Sequence, residues 1–285
     1  MNKHVVEAMG RTRITIEDGR VVDVGNPLTR YCPIWDRVKG IKKITSRIAK
    51  ENIEYRIREF GMFTSSRRIN MDVFVGFGAS ETFMTALDAE LIDSCVINCD
   101  GAGTVITSNP ILVQGIGALM PGLLETSPIP ILIKRIECAG GIVLDRITAK
   151  LDSVAGVEKA IELGYKKIGV PVSSVEVAKA CRQLEPKHGV DIITFGVHLT
   201  GIGKEEAREL TRLVDITTGC MSKYIRNGVA GKAVAQFGVS IPIFALTKRG
   251  KRLLLERAKE IDSQILVNTT ELPVLPCDMQ PKPLV

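Results

Sequence analysis

Polar and apolar residues alternate through Arg13-Ile14-Thr15-Ile16-Glu17 and again through Arg20-Val21-Val22-Asp23-Val24, with Asp18-Gly19 between them. Two alternating runs joined by Asp-Gly predict a tight β-hairpin. From Ser46 to Phe60 the period lengthens. Ile53, Ile57 and Phe60 recur on one helical face, while Arg47–Glu51, Lys50–Glu54 and Glu54–Arg58 pair at i, i+4 on the other. Gly61 stops this helix. Residues 1–70 therefore read as a small N-terminal α+β unit, ending near the anion-anchor candidates Arg67 and Arg68.

From Met71 the pattern repeats as strand, turn and helix. A strand Asp72–Val75 is expected to lead through Gly76-Phe77-Gly78 into a helix reaching Leu91, followed by a strand Ser94–Cys99. Next comes the turn Asp100-Gly101-Ala102-Gly103, then a helix starting at Pro110, with Ser108 or Asn109 as its cap. Residues 130–138 read as a helix and Ile142–Leu144 as a short strand. Beyond them, strands Lys167–Val172, Ile192–Leu199 and Asp215–Thr218 alternate with helices Val154–Leu163, one opened by Ser173-Ser174-Val175-Glu176, and one through Leu213. One or two strands within Ala233–Leu246 and a helix Lys248–Ile261 complete the series. The expected fold is α/β, a mainly parallel sheet with helices on both faces, placing a Rossmann-like domain at residues 71–262. Residues 263–285, with Pro273, Pro276, Pro281 and Pro283, read as an extended tail that docks on the body or on a partner.

Function is sought where strands end, because the carboxyl edge of a parallel sheet gathers such residues into one crevice. Asp100, His198 and Cys220 are the catalytic candidates on this ground. Asp100 is placed to act as a base or to bind a hydroxyl, and His198 to exchange protons. Cys220, just before a short helix, is the candidate nucleophile or ligand if the helix start lowers its thiol pKa, against the default of a buried inert cysteine. Gly76, Gly78, Gly101, Gly103, Thr104, Thr200 and Gly201 are the candidates for cradling an anionic group with backbone N–H donors. Neither glycine turn completes a dinucleotide or P-loop fingerprint, so no cofactor is assigned. Ser173 is explained without function, as the cap of a box closed by Glu176.

Composition narrows the classes. The 285 residues carry a net charge of +6 with basic residues dispersed, and aromatic residues make up only 5%. That argues against a base-stacking nucleic-acid surface and suits a small anionic ligand. No apolar run has membrane-spanning length, and seven cysteines without a C-x-x-C pair suit a reducing compartment, so a cytoplasmic protein without membrane attachment is expected. Cys95 and Cys99 share a strand face as small core residues. No metal site is assigned, and self-association stays open.

Five runs are more distinctive: Tyr31-Cys32-Pro33-Ile34-Trp35, Asn52–Ile57, Gly76–Glu81, Asp100–Thr104 and Ser222-Lys223-Tyr224-Ile225-Arg226. In this order, over almost the whole length, the chain resembles the methanogenesis marker protein 8 family of methanogenic archaea. The resemblance implies a role around methyl-coenzyme M reductase or its cofactors, as an accessory or maturation factor with a methanogenic enzyme complex as partner. It carries no catalytic residue over. Two alternatives stand beside it: a cofactor-biosynthesis transferase using S-adenosylmethionine or a nucleotide, and an iron–sulfur or redox scaffold built from scattered cysteines.

Overall fold

A computed structural model describes residues 2–285. The N-terminal part contains strands β1 (Lys3–Ala8), β2 (Thr12–Glu17) and β3 (Arg20–Val24), then helices α1 (Pro33–Lys39) and α2 (Ser46–Phe60). The chain continues through α3 (Ala79–Asp88), β4 (Ser94–Cys99), β5 (Gly103–Thr107), α4 (Pro110–Gly117), β6 (Gly122–Thr126), α5 (Pro130–Cys138) and β7 (Ile142–Val143). After α6 (Ser153–Glu162) come β8 (Lys167–Val172), α7 (Val175–His188), β9 (Asp191–Gly196), α8 (Lys204–Leu213) and β10 (Ile216–Thr218). The last elements are α9 (Lys223–Gly228), β11 (Ala235–Phe237), β12 (Ile243–Ala245) and α10 (Lys248–Lys259).

Local chemistry accounts for many of these boundaries. Asp18 and Gly19, both at positive φ, turn the β2–β3 hairpin. Thr45 caps α2 through the Ile48 N–H, and Gly61 ends it in the left-handed conformation. Asn109 caps α4, whose first residue is Pro110.

The fold is α/β, built on two sheets. One is antiparallel, in the order β3-β2-β1-β6, and packs against α2 around Ile14, Ile53 and Phe63. The other has eight strands in the order β11-β12-β10-β9-β8-β4-β5-β7. It is mixed rather than mainly parallel. Only the neighbours β10, β9, β8 and β4 run parallel, and antiparallel strands flank them on both sides. The crossovers from β4 to β8, β9 and β10 all step in one direction, so right-handed connections put α6, α7 and α8 on one face. That face holds Val170, Ile192 and Leu210, while α3, α4, α5 and α10 cover the other around Phe83, Phe195 and Leu253.

Several expectations are corrected. The turn after Cys99 leads into β5, paired antiparallel to β4 with Cys99 opposite Gly103; the β-branched run Thr104-Val105-Ile106-Thr107 forms a strand before the chain reaches its helix. Asp72–Val75 is irregular, because Val73, Phe74 and Val75 are exposed and no strand pairs with them. The division at residue 70 is crossed by β6, which returns to pair with β1. The tail, by contrast, follows the first of its two expected courses and lies on the body: Lys282 bridges Tyr31, and Val285 exchanges backbone hydrogen bonds with Met221 and Lys223.

At the amino edge of the parallel strands, Asp215 is 1% exposed and collects five side-chain and backbone donors, one of them the Thr194 hydroxyl at 3.2 Å on Oδ2. Arg182 Nη2 at 2.7 Å and the Thr194 N–H at 2.9 Å reach Oδ2, and Arg249 Nε at 2.6 Å and Thr247 Oγ1 at 2.8 Å reach Oδ1. Burial works to raise this carboxyl's pKa, but Arg182 and Arg249 outweigh it and hold it below the ordinary value. A depressed carboxyl pKa stabilises the fold above the unfolded pKa, and that stability is lost as pH falls through the folded one. Asp215→Asn is therefore expected to cost about 3–5 kcal/mol in urea unfolding at neutral pH, and to flatten the acid limb of stability below about pH 4.

Candidate functional site

The carboxyl ends of the four parallel strands open into a cleft of about 760 Å³. β4 contributes Asn98, β8 leads to Ser173, β9 to His198, and β10 ends at Thr218 before Cys220. Opposite them stands the N-terminal sheet, with Glu7 of β1, Gly122 and Leu123 of β6, and Arg11 from the β1–β2 connection. Phe77 and Phe237 line the wall side by side, their ring centroids 4.5 Å apart. The volume lies within the range of small-molecule sites, as does the mix of apolar wall and a few polar groups.

His198 and Cys220 both line this cleft, and both are non-glycine residues at positive φ, +56° and +42°. Such conformations persist where the surroundings hold them, and they gather at functional sites. His198 is exposed by surface area and lines the cavity, and the cleft walls stand close enough around the ring to desolvate it in part. Burial first, and the nearby Arg56 guanidinium second, push its pKa down to about 4. The ring is neutral at pH 7 and can accept a proton. Arg56 donates to the Leu119 carbonyl, and burial and Arg67 lower its own pKa to about 10; no carboxylate contributes. Positive charge therefore stands beside His198 without an acidic partner.

Cys220 follows the default of an inert cysteine, and the lowered thiol pKa of the sharper reading is corrected. Burial pushes its thiol pKa up, against a smaller opposing effect of the Leu199 N–H, which approaches Sγ at 3.4 Å. The group is a protonated thiol at neutral pH rather than an activated thiolate.

Asp100 lies outside the cleft residues and is fully buried. Its Oδ1 accepts from Arg67 Nε at 2.9 Å, its Oδ2 accepts from the Phe63 N–H, and Arg67 is fully buried too. This carboxylate is occupied by a structural ion pair, and the expected base or hydroxyl ligand is not free to act. The turn beyond it is equally full. The Gly101 N–H donates to Thr126 Oγ1 at 2.7 Å, the Ala102 N–H to the Cys99 carbonyl, and the Thr104 N–H to the Lys150 carbonyl. A Cβ on Gly103 would lie 2.3 Å from the Ala149 backbone, so this glycine serves close chain packing rather than an anion cradle. Thr104 has a positioning part: its hydroxyl donates to Asn98 Oδ1 at 2.9 Å and accepts the Asp152 N–H at 2.8 Å.

The remaining glycine candidates divide. Gly78 lines the cleft as the N-cap of α3, whereas the Gly76 carbonyl accepts from Arg257 Nε at 2.8 Å. Thr200 Oγ1 accepts the Met221 N–H, and Gly201 gives room to Arg11, whose Nη1 occupies the space of a Cβ. Ser174, not Ser173, caps α7 by accepting the Val177 N–H, which leaves the Ser173 side chain exposed at the cleft.

Sequence reasoning missed Glu7, Arg11, Arg56 and Glu81. Glu7 and Arg11 pair at 3.0 Å and reach the cleft only because their sheet folds over it. Glu81, 2% exposed, looks in the sequence like an ordinary acidic residue in a first helical turn. Among the described residues, no three of His, Cys, Asp or Glu are gathered in a way that would hold a metal ion. Cys95 and Cys99 are core residues, and burial raises both thiol pKa values.

Against known proteins, residues 4–259 match the model of a family described as "Uncharacterized protein conserved in archaea (DUF2099)". An uncharacterized protein of Methanocaldococcus jannaschii is 50% identical over 286 residues, covering 100% of each chain.

Two outcomes follow from this geometry. Asp100→Asn leaves the Arg67 guanidinium buried without its counter-charge and is expected to cost about 3–5 kcal/mol in chemical unfolding. The second concerns His198, whose folded pKa is depressed. Below about pH 6.5 the unfolded chain binds a proton that the folded chain refuses, so stability falls as pH drops from there toward pH 4. His198→Asn, a residue tolerant of positive φ, should flatten this part of a melting-temperature profile while leaving neutral pH little changed.

Proposed function

The chain belongs to this family of proteins conserved in archaea, and we propose that it binds a small organic anion in the cleft between its two sheets. The observation that carries the proposal is the meeting of neutral His198, the unpaired charge of Arg56 and the Glu7–Arg11 pair beside an apolar cavity of about 760 Å³. An anion entering there gains a cation in a region that excludes much of the water, where electrostatic attraction is strong. The placement at the ends of four parallel strands supports reading this as a Rossmann-like site.

The biological setting of the proposal comes from the resemblance to the methanogenesis marker protein 8 family. In that setting the protein is a cytoplasmic accessory or maturation factor for methyl-coenzyme M reductase or its cofactors, and the anion is a cofactor, a precursor or a fragment of one. No described helix is long and apolar enough to cross a membrane. A second reading, an enzyme of cofactor biosynthesis, is favoured by the position of His198 at the cleft, where its neutral imidazole can hydrogen-bond a substrate. Its nucleotide-dependent form loses support, because the Gly101–Gly103 turn has no free donors for phosphate.

Incubating the purified chain with the small-molecule fraction of methanogen extract, desalting it and identifying released anions by mass spectrometry tests the proposal. Ser173→Trp, which fills the cleft from an exposed position, should abolish retention with little change in melting temperature. Full retention of the same anion by Ser173→Trp would place its site elsewhere and overturn the proposal.

A further inference from the structure

We infer that the cleft selects a bipolar ligand, one that brings a protonated amine to Glu81 and carries its anionic group at the Arg11 and Arg56 end. The inference rests on the cleft being the anion site proposed above, and it names the class of molecule that site takes.

Glu81 lines the cleft in the first turn of α3 and is 98% withdrawn from solvent, being only 2% exposed. Its Oε2 accepts from the Ser80 hydroxyl at 2.9 Å and its Oε1 from Gln114 Nε2 at 3.1 Å. Both donors are neutral. Arg257, from α10, directs its guanidinium to the Gly76 carbonyl at 2.8 Å and to Thr85 Oγ1 at 3.1 Å, one turn further along α3. Among the described residues, no Lys, Arg or His forms an ion pair with Glu81. The helix N-terminus supplies partial positive charge, but a carboxylate this deeply buried gains far more from a full cation.

A second observation points the same way. Gln114 Oε1 is buried and has no hydrogen-bond partner, although its amide nitrogen donates to the Asp72 carbonyl and to Glu81. A carboxylate without a cation and an amide oxygen without a donor thus lie next to each other. A primary ammonium has three N–H donors and one charge, the complement of this pair of acceptors.

The distance between the two poles fixes the ligand's form. α3 begins beside Ile97 of β4, since the empty side of Gly117 faces both Ser80 and Ile97. His198 follows β9, two strands away, so the poles are separated by roughly 10 Å at the usual inter-strand spacing. Phe77, Phe195 and Phe237 line the cleft together with Ile97 and Val197. An ammonium, an apolar linker and a carboxylate or other anion in sequence match that profile, whereas a ligand with both charges at one end leaves Glu81 unpaired.

Titration calorimetry with omega-amino carboxylates of increasing chain length, each compared with the simple carboxylate of the same length, tests the inference. The amino carboxylate that spans both poles should bind roughly ten-fold or more tightly than its methyl-ended counterpart, as expected for a buried charge-assisted hydrogen bond. Glu81→Gln, of the same shape, should remove that advantage and leave binding of the simple carboxylate unchanged. Arg11→Gln should weaken both. If the simple carboxylates bind but the amine adds nothing at any length in the unaltered protein, the bipolar inference is overturned while the anion site stands. If no carboxylate of either series binds, the anion site itself fails, and the inference with it.

Discussion

The buried ion pair between Arg67 and Asp100 joins the two halves of the molecule. Both residues are fully withdrawn from water, and such a pair is tolerable only when the remaining donors and acceptors are satisfied. They are: Asp100 also takes the Phe63 N–H, while Arg67 donates to the Ile116 and Arg68 carbonyls. The segment after α2 is thereby clamped to the β4–β5 turn and to the end of α4. A few ångströms along the turn, Thr126 of β6 accepts the Gly101 N–H and meets His4 Nδ1 of β1 at 2.7 Å, which ties the N-terminal sheet to the same point. Burial lowers this imidazole's pKa despite the Asp100 charge. The cleft exists because this joint holds an antiparallel sheet over the carboxyl edge of the parallel strands.

Charge is arranged to match. The amino edge of the parallel strands is closed by the Asp215, Glu185, Arg182 and Arg249 network, whose opposite charges meet in ion pairs as short as 2.6 Å. At the carboxyl edge pairing is incomplete. Arg56 stands beside His198 without a carboxylate, and Glu81 stands in the first turn of α3 without a cation. Leaving Glu81 in the cleft and Arg56 behind its His198 end without partners of opposite charge costs folding energy that compact packing elsewhere offsets, and it gives a ligand something to gain. The apolar rings between the poles add burial for a linker without fixing its chemistry.

Much of this was legible from periodicity and turn chemistry. The hairpin at Asp18-Gly19, helix α2, the strands β4, β8, β9 and β10, and the position of His198 and Cys220 at strand ends all follow from local signals. The failures share a cause. β5, β6 and the sheet-crossing path of residues 118–127 depend on long-range pairing, and a short β-branched run such as Thr104–Thr107 does not announce its partner. Asp100-Gly101-Ala102-Gly103 looked like an anion cradle because a turn that receives a ligand and a turn that receives Ala149 and Thr126 require the same small residues. For Cys220 the same limit holds: a position before a helix favours a thiolate, but burial decides, and burial cannot be read from the neighbours in sequence. Glu81 and Arg56 gave no local sign, since only the tertiary fold leaves them without partners.

That the cleft between the two sheets is the ligand site is tested most directly by a crystal structure of the protein purified anaerobically from archaeal cells without stripping. Density is expected for a small molecule lying between His198 and Glu81, with its anionic group toward Arg11 and with Phe77 and Phe237 against its apolar part. A bound metabolite located anywhere else, with only ordered water between His198 and Glu81, would contradict it.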